Sequence, residues 1–488
     1  MLFNSVAYFI FLPIAVMLFY IFPHKYRWAV LLALSYYFYV SWNLKLIWLI
    51  LFTTITSYLS ALFIEKTENQ KMRKLYLLFG VSASLLCLFF FKYYNFLADT
   101  VIQISSHIGS NIYLPFLNVI LPVGISFYTF QTLSYVIDIY NRRYQCEKHF
   151  GIYALYVSFF PQLVAGPIER ASNLLHQFHK EKTFNIARTS EGLRLMGIGF
   201  IKKVAIADTV AIYVNNVYND ITAFKGLSLV MATFLFSIQI YCDFSGYSDI
   251  AIGTAKIFDI DLMTNFKSPY LSKSIKEFWR RWHISLSTWF SDYVYIPLGG
   301  SRVKKSRHYF NLIVTFFLSG LWHGANYTFV IWGLLFGVSL CIENIYLSQL
   351  EKFLENKSKF ITVMTTFIRR ISTIIVVNVG WIFFRANNIN DAIYVFKNLR
   401  YGLNIFRLTV YTSAMGISNF KLVVIAIMIL LLFLYDWYGY NHGNVLDKMK
   451  ELPPIARYII YWCMGMSVLL AVFFRPAGVA ADFIYFQF

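Results

Sequence analysis

The stretch TFFLSGLWHGANY, residues 315–327, decides how this chain is interpreted. It places one histidine, His323, between two apolar runs, residues 310–321 and 329–342. An ionisable side chain is costly to place in hydrocarbon, so a histidine within apolar sequence indicates a functional site by default. The alternative is a histidine whose ring hydrogen-bonds a neighbouring helix for structural reasons alone. We favour the functional interpretation because of that cost.

Composition places the chain among polytopic membrane proteins. Of its 488 residues 58% are hydrophobic and only 14% are charged, whereas about 25% of an average soluble domain is charged. Aromatic residues make up 20%, which suits the aromatic belts that membrane proteins carry at the bilayer interfaces. Most of the chain is therefore needed for membrane spans, and the usual division of such a length into soluble domains does not apply.

The charge distribution predicts an orientation in the membrane. The chain carries 43 Lys and Arg against 24 Asp and Glu, a net charge of +19. Because the basic residues fall mostly in short connections between apolar runs, positive-inside topology explains them better than nucleic-acid binding. An outside N-terminus places the basic clusters within 24–27, 66–74 and 142–148 in the cytoplasm. The five cysteines have neither disulfide nor zinc spacing, and we expect no metal.

The apolar runs predict an all-α, polytopic helical membrane protein. We expect about eleven transmembrane helices plus re-entrant helices, in one membrane-embedded domain over residues 1–488. The run 150–164 ends at Ala165-Gly166-Pro167, a break typical of a re-entrant helix. Residues 272–291 are aromatic and basic at once, which is typical of an interfacial or re-entrant helix. The other apolar runs are 6–22, 28–42, 46–64, 75–91, 116–140, 193–213, 227–258, 361–384, 420–437 and 455–474.

Two histidines are the candidate catalytic residues. We place only His323 and His283 inside or against membrane-embedded helices. A histidine near neutral pH can take a proton from a hydroxyl and return it to a leaving group. A second one nearby can orient the substrate or stabilise charge on a reacting carbonyl. Gly320 and Gly324 flank His323 and admit either a narrow ligand or a tightly packed helix.

Basic residues close to His283 form a candidate donor site. Arg280 and Arg281 precede this histidine, and Lys276 and the cluster that begins at Arg302 are near in sequence. Such a group suits an anionic cytoplasmic ligand, for example a phosphate-bearing donor. Binding of anionic lipid head groups explains it equally well.

Three further groups have two interpretations each. Asp243 and Asp249 are either proton-relay carboxylates or hydrogen-bonded structural acids. His176 and His179 have metal-ligand spacing without partner ligands, and a solvated helix is the better interpretation. Tyr485, in the tail ADFIYFQF (481–488), is either part of an interfacial aromatic anchor or a phenol that accepts an acyl group and passes it onward.

Five motifs in order give the chain a family resemblance. They are LPVGISFYTFQTLSYVIDIY (121–140), FFPQLVAGPIER (159–170), IYCDFSGYSDIAIG (240–253), FWRRWHISLSTWFSDYVYIPLGGSR (278–302) and SGLWHGANYTFVIWG (319–333). Together they resemble the membrane-bound O-acyltransferase (MBOAT) family, in particular its bacterial alginate O-acetyltransferase-like branch, which includes peptidoglycan O-acetyltransferases. The likeness covers nearly the whole chain and is weakest around residues 340–450.

The resemblance implies roles and partners. His323 would be the catalytic histidine and His283 the second polar residue of the active site, within a helical fold around a central channel. Acetyl-CoA would be the cytoplasmic co-substrate, with no bound cofactor. A separate periplasmic or extracellular acetyltransferase would complete delivery to a polysaccharide acceptor. The protein would be a multi-pass protein of the bacterial inner membrane.

Three alternatives remain at this stage. The first is D-alanyl transfer to teichoic acid from a carrier protein. The second is a proton-coupled transporter that uses Asp243, Asp249 and the histidines, although the internal repeats common in transporters are not evident. The third is a non-catalytic membrane scaffold, which the two embedded histidines disfavour.

Overall fold

The described residues of the computed structural model are 1–110, 112–118, 122–164, 166–355, 357–473 and 483–484. Within these ranges the regular structure is helical throughout, without a strand. Contacts between Cα atoms divide the chain into two compact units. The first comprises Met1–Met196 with Tyr247–Met263, and the second comprises Gly197–Gly246 with Thr264–Phe488. The prediction of a single membrane-embedded domain over residues 1–488 stays a prediction.

The first unit is a bundle in which α3 packs against α4, α6 and α7. Arg73 is buried where two of its helices end, and its guanidinium donates to the carbonyl oxygens of Ile64 at 2.9 Å and Tyr140 at 2.8 Å. Carbonyls in the last turn of a helix lack an intrahelical partner, so this arginine satisfies two helix ends at once. The helices are α1 (Val6–Ile21), α2 (His24–Val40), α3 (Ile47–Lys66), α4 (Gln70–Leu88), α5 (Tyr94–His107), α6 (Ile125–Tyr140), α7 (Phe150–Ser158), α8 (Phe160–Leu163) and α9 (Ala171–His179), with α10 (Ile186–Phe200) contributing residues to both units.

The second unit contains the segments that carry both candidate histidines. Its helices are α11 (Asp208–Asn219), α12 (Leu227–Ile257, shared with the first unit), α13 (Ile275–Arg281), α14 (Ile284–Phe290), α15 (Lys305–His323), α16 (Tyr327–Leu354), α17 (Lys359–Arg385), α18 (Ile389–Asn398), α19 (Leu408–Ala414), α20 (Asn419–His442), α21 (Val445–Glu451) and α22 (Pro454–Phe473). Helical segments of π type cover Phe89–Tyr93, Ile201–Ala207 and Ser291–Tyr295, and 3-10 turns cover Leu44–Leu46, Ile221–Ala223, Pro269–Leu271 and Ile405–Arg407.

Among the described residues, seven helical stretches are long and apolar enough to cross a membrane. They are Leu44–Lys66, Gln70–His107, Leu227–Ile257, Tyr327–Leu354, Lys359–Arg385, Asn419–His442 and Pro454–Phe473. The other predicted spans fall on shorter or more polar helices, except that residues 119–121 of the run 116–140 lie outside the described residues. The apolar helix α1 has 16 residues and is about 24 Å long, less than the roughly 30 Å of a bilayer core. The all-α, polytopic membrane fold is confirmed, whereas the central channel stays a prediction.

The break predicted at 165–167 includes Ala165, which lies outside the described residues, and it stays a prediction. A different break is found earlier in the same apolar run. Helix α7 ends at Ser158, and α8 begins after Phe159, whose ψ angle of 110° is not helical. Pro161 lies in the first turn of α8, the place where a helix tolerates a proline because no intrahelical N–H is needed there. The proline therefore explains why one apolar run forms two short helices.

Close packing of α15 on α16 places His323. A Cβ atom at Gly320 would collide with the backbone oxygen of Phe329, and one at Gly333 with the backbone oxygen of Phe316. Small residues of this kind let two helix backbones approach closely in a membrane. The surroundings of Gly320 therefore support its interpretation as a residue that permits tight helix packing. Helix α15 ends at His323, next to α16.

Candidate active site

His323 lies at the end of α15, with 3% of its surface exposed. Its Nδ1 atom is 2.6 Å from the backbone oxygen of Ser319. A carbonyl oxygen only accepts hydrogen bonds, so Nδ1 carries the proton and Nε2 is the basic nitrogen of the neutral ring. The imidazole is packed among the rings of Trp322, Trp332 and Phe384, with centroids 5.0, 4.7 and 5.4 Å away. One ring orientation and one tautomer are therefore favoured.

His283 lies in a strained turn between α13 and α14. It is completely buried, and its backbone is left-handed, with φ 43° and ψ 55°. Asn265 holds the chain directly after it: its backbone oxygen accepts from Ile284 N at 3.0 Å, and its Oδ1 accepts from Ser285 N at 3.2 Å. A non-glycine residue in this conformation is uncommon and suggests a functional constraint.

Trp322 brings the two histidines into one cluster of rings. The ring centroid of His283 lies 5.9 Å from that of Trp322, and the ring of His323 lies 5.0 Å from it on the adjacent residue. Residues 283 and 323 are forty positions apart in sequence, yet the structure places them at one site in the second unit.

A cavity of about 500 Å³ adjoins this cluster. Lys276, Arg280 and His308 line it, and so does Ser319, the residue whose carbonyl oxygen holds His323. The volume is within the 300–1,000 Å³ typical of small-molecule sites. Burial, followed by the charge of Lys276, lowers the pKa of His308 below its usual 6.5. The cavity thus combines cationic side chains with a wall next to the candidate base.

The other predicted donor-site residues have different surroundings. The Arg281 guanidinium donates to Glu277 at 2.9 Å and to the backbone oxygen of Lys267 at 3.1 Å, and it lies 4.4 Å from the ring centroid of Tyr440. Arg302 is exposed and directly follows Ser301, which lines the cavity. Three arginines were predicted to bind the donor. Of these, Arg280 is the one found among the described residues that line the cavity.

Helix α13, which carries Arg280, is fixed at its N-terminus by a residue that sequence reasoning missed. Buried Glu343 of α16 accepts hydrogen bonds from Ile275 N at 2.6 Å and Lys276 N at 3.1 Å. A carboxylate at this position satisfies amides without an intrahelical partner and interacts favourably with the helix dipole. The sequence contains a signal for this residue, because a glutamate inside the apolar sequence of α16 is costly unless it has a partner.

Asp243 belongs to a buried charge cluster with Lys203 and Asp208. The Lys203 ammonium is 2.9 Å from a carboxylate oxygen of Asp208 and 2.7 Å from one of Asp243. These contacts favour a structural acid at position 243 over a proton relay. Lys203 and Asp208 were missed, although charged residues within the apolar run 193–213 indicate a buried pair by the same rule that singled out His323.

The remaining candidates lie elsewhere. Tyr485 is outside the described residues, although Phe483 and Ile484 are described and buried. Asp249 is half-buried in the part of α12 that belongs to the first unit. His176 and His179 are exposed on α9, where His176 Nδ1 contacts the Ser172 backbone oxygen at 3.0 Å and His179 Nε2 contacts Glu147 at 2.7 Å.

Comparisons with known proteins identify the family. The model of the membrane-bound O-acyltransferase family, MBOAT, matches residues 34–384. The probable alginate O-acetylase AlgI of Pseudomonas putida is 37% identical over 500 aligned residues, which cover 99% of each chain. The peptidoglycan O-acetyltransferase of Helicobacter pylori is 37% identical over 77% of this chain and 74% of its own. The teichoic acid D-alanyltransferase of Bacillus subtilis is 30% identical over 56% of this chain and 69% of its own.

These matches confirm the family that the five motifs predicted, and they leave the transporter and scaffold alternatives without support. The helices that can cross a bilayer agree with a membrane location. This chain belongs to the membrane-bound O-acyltransferase family and is an acyltransferase.

Proposed function

We propose that this protein takes an acetyl group from cytoplasmic acetyl-CoA and passes it across the membrane for O-acetylation of an extracytoplasmic polysaccharide. His323 is the catalytic base and His283 is the second catalytic residue. The observation that carries this proposal is the position of Ser319. Its backbone oxygen orients the His323 imidazole, and the same residue lines the cavity that Lys276 and Arg280 border.

The geometry supports general base catalysis by His323. With Nδ1 bound to the Ser319 carbonyl oxygen, Nε2 takes the proton of the attacking hydroxyl. The hydroxyl oxygen then bonds to the acetyl carbon, the carbon–sulfur bond of the thioester breaks, and the proton passes to the departing thiolate. Base and acid catalysis of this kind contribute about 10²–10⁴-fold. Exclusion of water by the surrounding rings protects the thioester from hydrolysis.

His283 suits charge stabilisation at the reacting carbonyl. Its ring is packed at 4.5 Å from the Phe244 ring centroid and held by the turn that Asn265 fixes. A preorganised donor aimed at a developing oxyanion needs no reorganisation when the reaction occurs. The left-handed backbone at His283 is consistent with this role, because strain of this kind gathers at active sites.

The cavity supports a phosphate-bearing donor. Lys276 and Arg280 offer two cations at its wall, and Arg adds a planar fork that suits phosphate oxygens. A thioester arm that enters between them would reach the wall at Ser319, adjacent to His323. Binding of anionic lipid at the same cations is the competing explanation, and it predicts no thioester dependence.

The relatives support acetyl transfer over D-alanyl transfer. Relatives named for O-acetylation match 77–99% of this chain, whereas the teichoic acid D-alanyltransferase matches 56% at lower identity. Alginate and peptidoglycan are the acceptor classes that those names suggest. The bacterial sources of these relatives also support a bacterial inner-membrane location, with the N-terminus outside according to the basic clusters.

Delivery to the polysaccharide requires a group that receives the acetyl unit on the far side. We propose that a separate periplasmic or extracellular acetyltransferase completes this transfer and that Tyr485 is a relay acceptor. Support for Tyr485 comes from its chain neighbour Ile484 and from Phe483, whose ring lies 5.6 Å from that of Phe244, itself in contact with His283. A phenol leaves more readily than an alkyl alcohol, so its ester can pass the group onward.

Deletion of the gene tests this function. Extracytoplasmic polysaccharides from the wild-type and deletion strains would be compared by mass spectrometry for ester-bound acetate and ester-bound D-alanine. We expect acetate esters to disappear and D-alanyl esters to be unchanged. Loss of D-alanyl esters with intact acetate would contradict the proposal and favour the carrier-protein alternative. Purified protein in liposomes should release free CoA thiol from acetyl-CoA over repeated turnovers only when an acceptor is supplied.

A further inference from the structure

The buried cluster of Lys203, Asp208 and Asp243 is built on an irregular backbone. Lys203 lies in the π-helical turn Ile201–Ala207 between α10 and α11. It is 1% exposed, and both carboxylates that contact its ammonium group are at most 5% exposed. Turns of this type occur frequently at functional sites. Two carboxylates on one ammonium leave an excess negative charge, and burial makes that charge costly unless further donors satisfy it.

The second oxygen of Asp243 receives such a donor from a distant part of the chain. Asp243 Oδ2 accepts a hydrogen bond from the backbone N–H of Ile484 at 2.8 Å. Ile484 is 1% exposed and Phe483 is completely buried. The two oxygens of Asp243 therefore have different roles, since Oδ1 faces the Lys203 ammonium and Oδ2 holds the backbone of residues 483–484.

This contact continues to the candidate active site through two aromatic rings. The ring of Phe483 lies 5.6 Å from that of Phe244, the residue next to Asp243. His283 packs on the same Phe244 ring, at 4.5 Å and nearly perpendicular, with an interplanar angle of 79°. Phe483 thus supports the Phe244 ring, against which His283 also packs. Movement of residues 483–484 would remove that support.

We propose that Asp243, held by the buried Lys203, is the docking site for residues 483–484 and a positioning residue for acyl transfer. It acts through the docked segment and Phe244 on His283, not by contact with substrate. This inference rests on the proposed function, because it assigns His283 to the catalytic site. It goes beyond that function by giving the buried charges and the segment at 483–484 a joint role.

The cluster offers a matched pair of substitutions. Asp243→Ala leaves Lys203 paired with Asp208, and Asp208→Ala leaves it paired with Asp243. Each variant therefore removes one carboxylate from the same buried lysine, but only the first removes the acceptor for Ile484 N. Asp243→Asn is the conservative variant, since its amide oxygen can still accept that hydrogen bond.

Docking can be measured without any acyl substrate. Cysteine would be introduced as Ile484→Cys in a background with Cys87→Ser and Cys463→Ser, which removes the half-buried and exposed native thiols. A membrane-impermeant maleimide then reports exposure of residue 484 in intact membranes. We expect Asp243→Ala to raise the labelling rate about tenfold or more, the factor that corresponds to loss of a hydrogen bond to a charged group.

Acyl transfer should follow the labelling. Asp243→Ala should lower ester-bound acetate on the polysaccharide about tenfold or more, Asp243→Asn should restore both readouts, and Asp208→Ala should change neither comparably. Equal labelling of the two alanine variants would overturn the docking site. Exposure of residue 484 with undiminished transfer would overturn the positioning role. Failure of the proposed function looks different, because wild-type transfer would be absent while the labelling contrast remained.

Discussion

The left-handed backbone at His283 leads to an unusual prediction about two substitutions that both remove the imidazole. His283→Gly should be more stable than His283→Ala. At ordinary helical positions the order is reversed, because glycine costs about 0.5–1 kcal/mol relative to alanine. Here φ is 43° and ψ is 55°, a region that glycine enters freely and that a Cβ atom disfavours.

The size of the difference follows from two opposing effects. The Cβ atom of alanine costs about 1–2 kcal/mol in the left-handed conformation. The greater freedom of glycine in the unfolded chain offsets about 0.4–1 kcal/mol of this. Both variants lose the same buried ring and its contacts with Phe244 and Trp322, so the cavity that remains is common to them. The net expectation is about 0.5–1 kcal/mol in favour of glycine.

Thermal unfolding in detergent, followed by tryptophan fluorescence, measures this difference. The shift in midpoint should be on the order of 1–3 °C. Ser287 provides the control, because it lies within α14, four residues along the same chain segment. There Ser287→Gly should be less stable than Ser287→Ala by about 1 kcal/mol. Both His283 variants should lose acyl transfer to the same extent, since neither retains the ring.

Either of two results would refute this reasoning. If His283→Ala were as stable as His283→Gly, or more stable, the backbone at this position would not be left-handed. If the two variants differed strongly in acyl transfer, the imidazole would not be what catalysis requires of this residue.

Three further predictions concern the cavity and the helix packing. Arg280→Ala should raise the apparent KM for acetyl-CoA about ten- to a hundredfold through loss of a charge-assisted hydrogen bond, and the exposed Arg302→Ala should raise it less; CoA thiol release measures both. Because the pKa of His308 is lowered, this residue is neutral at pH 7.5 and gains charge as the pH falls below 6.5. The KM for the anionic donor should therefore fall as the pH is lowered in the wild type, but not in His308→Gln. Gly320→Ala should destabilise the protein by about 1–3 kcal/mol because the added methyl group collides with backbone atoms. Gly465→Ala adds a methyl group that has no other atom within 4 Å, so it should stabilise α22 by up to about 1 kcal/mol. Unfolding in detergent measures both.

Much of the fold follows from the pattern of apolar runs. The predicted runs 46–64, 75–91, 361–384 and 420–437 lie on helices that can cross a bilayer, as do residues 227–257 and the described residues 455–473 of two further runs. The run 28–42 became α2, whose N-terminus carries His24, Lys25 and Arg27. Hydrophobicity alone does not distinguish a span from a shorter helix buried among others. For this reason about eleven spans were expected, whereas the described residues contain seven helices that are long and apolar enough.

The sequence could predict the candidate site only at residues whose chemistry is unusual for the surrounding sequence. A histidine within apolar sequence drew attention to His323 without any partner being known. Asn265 could not be found in this way, because its importance lies in backbone amides that it meets only after folding. The hydrogen bond between Asp243 and Ile484 joins positions far apart in sequence, and no periodicity connects two such positions. Long-range polar contacts of this kind require coordinates.

The central claim is that His323 is the base for acetyl transfer, and its most direct test compares two histidine substitutions. His176 on α9 offers a matched control, since its Nδ1 also contacts a backbone oxygen four residues earlier, but at an exposed position. Ester-bound acetate would be quantified on polysaccharide from deletion cells that produce either variant at equal membrane levels. We expect a loss of about 10²–10⁴-fold for His323→Ala and wild-type acetate for His176→Ala. Equal acetate in the two strains would contradict the claim.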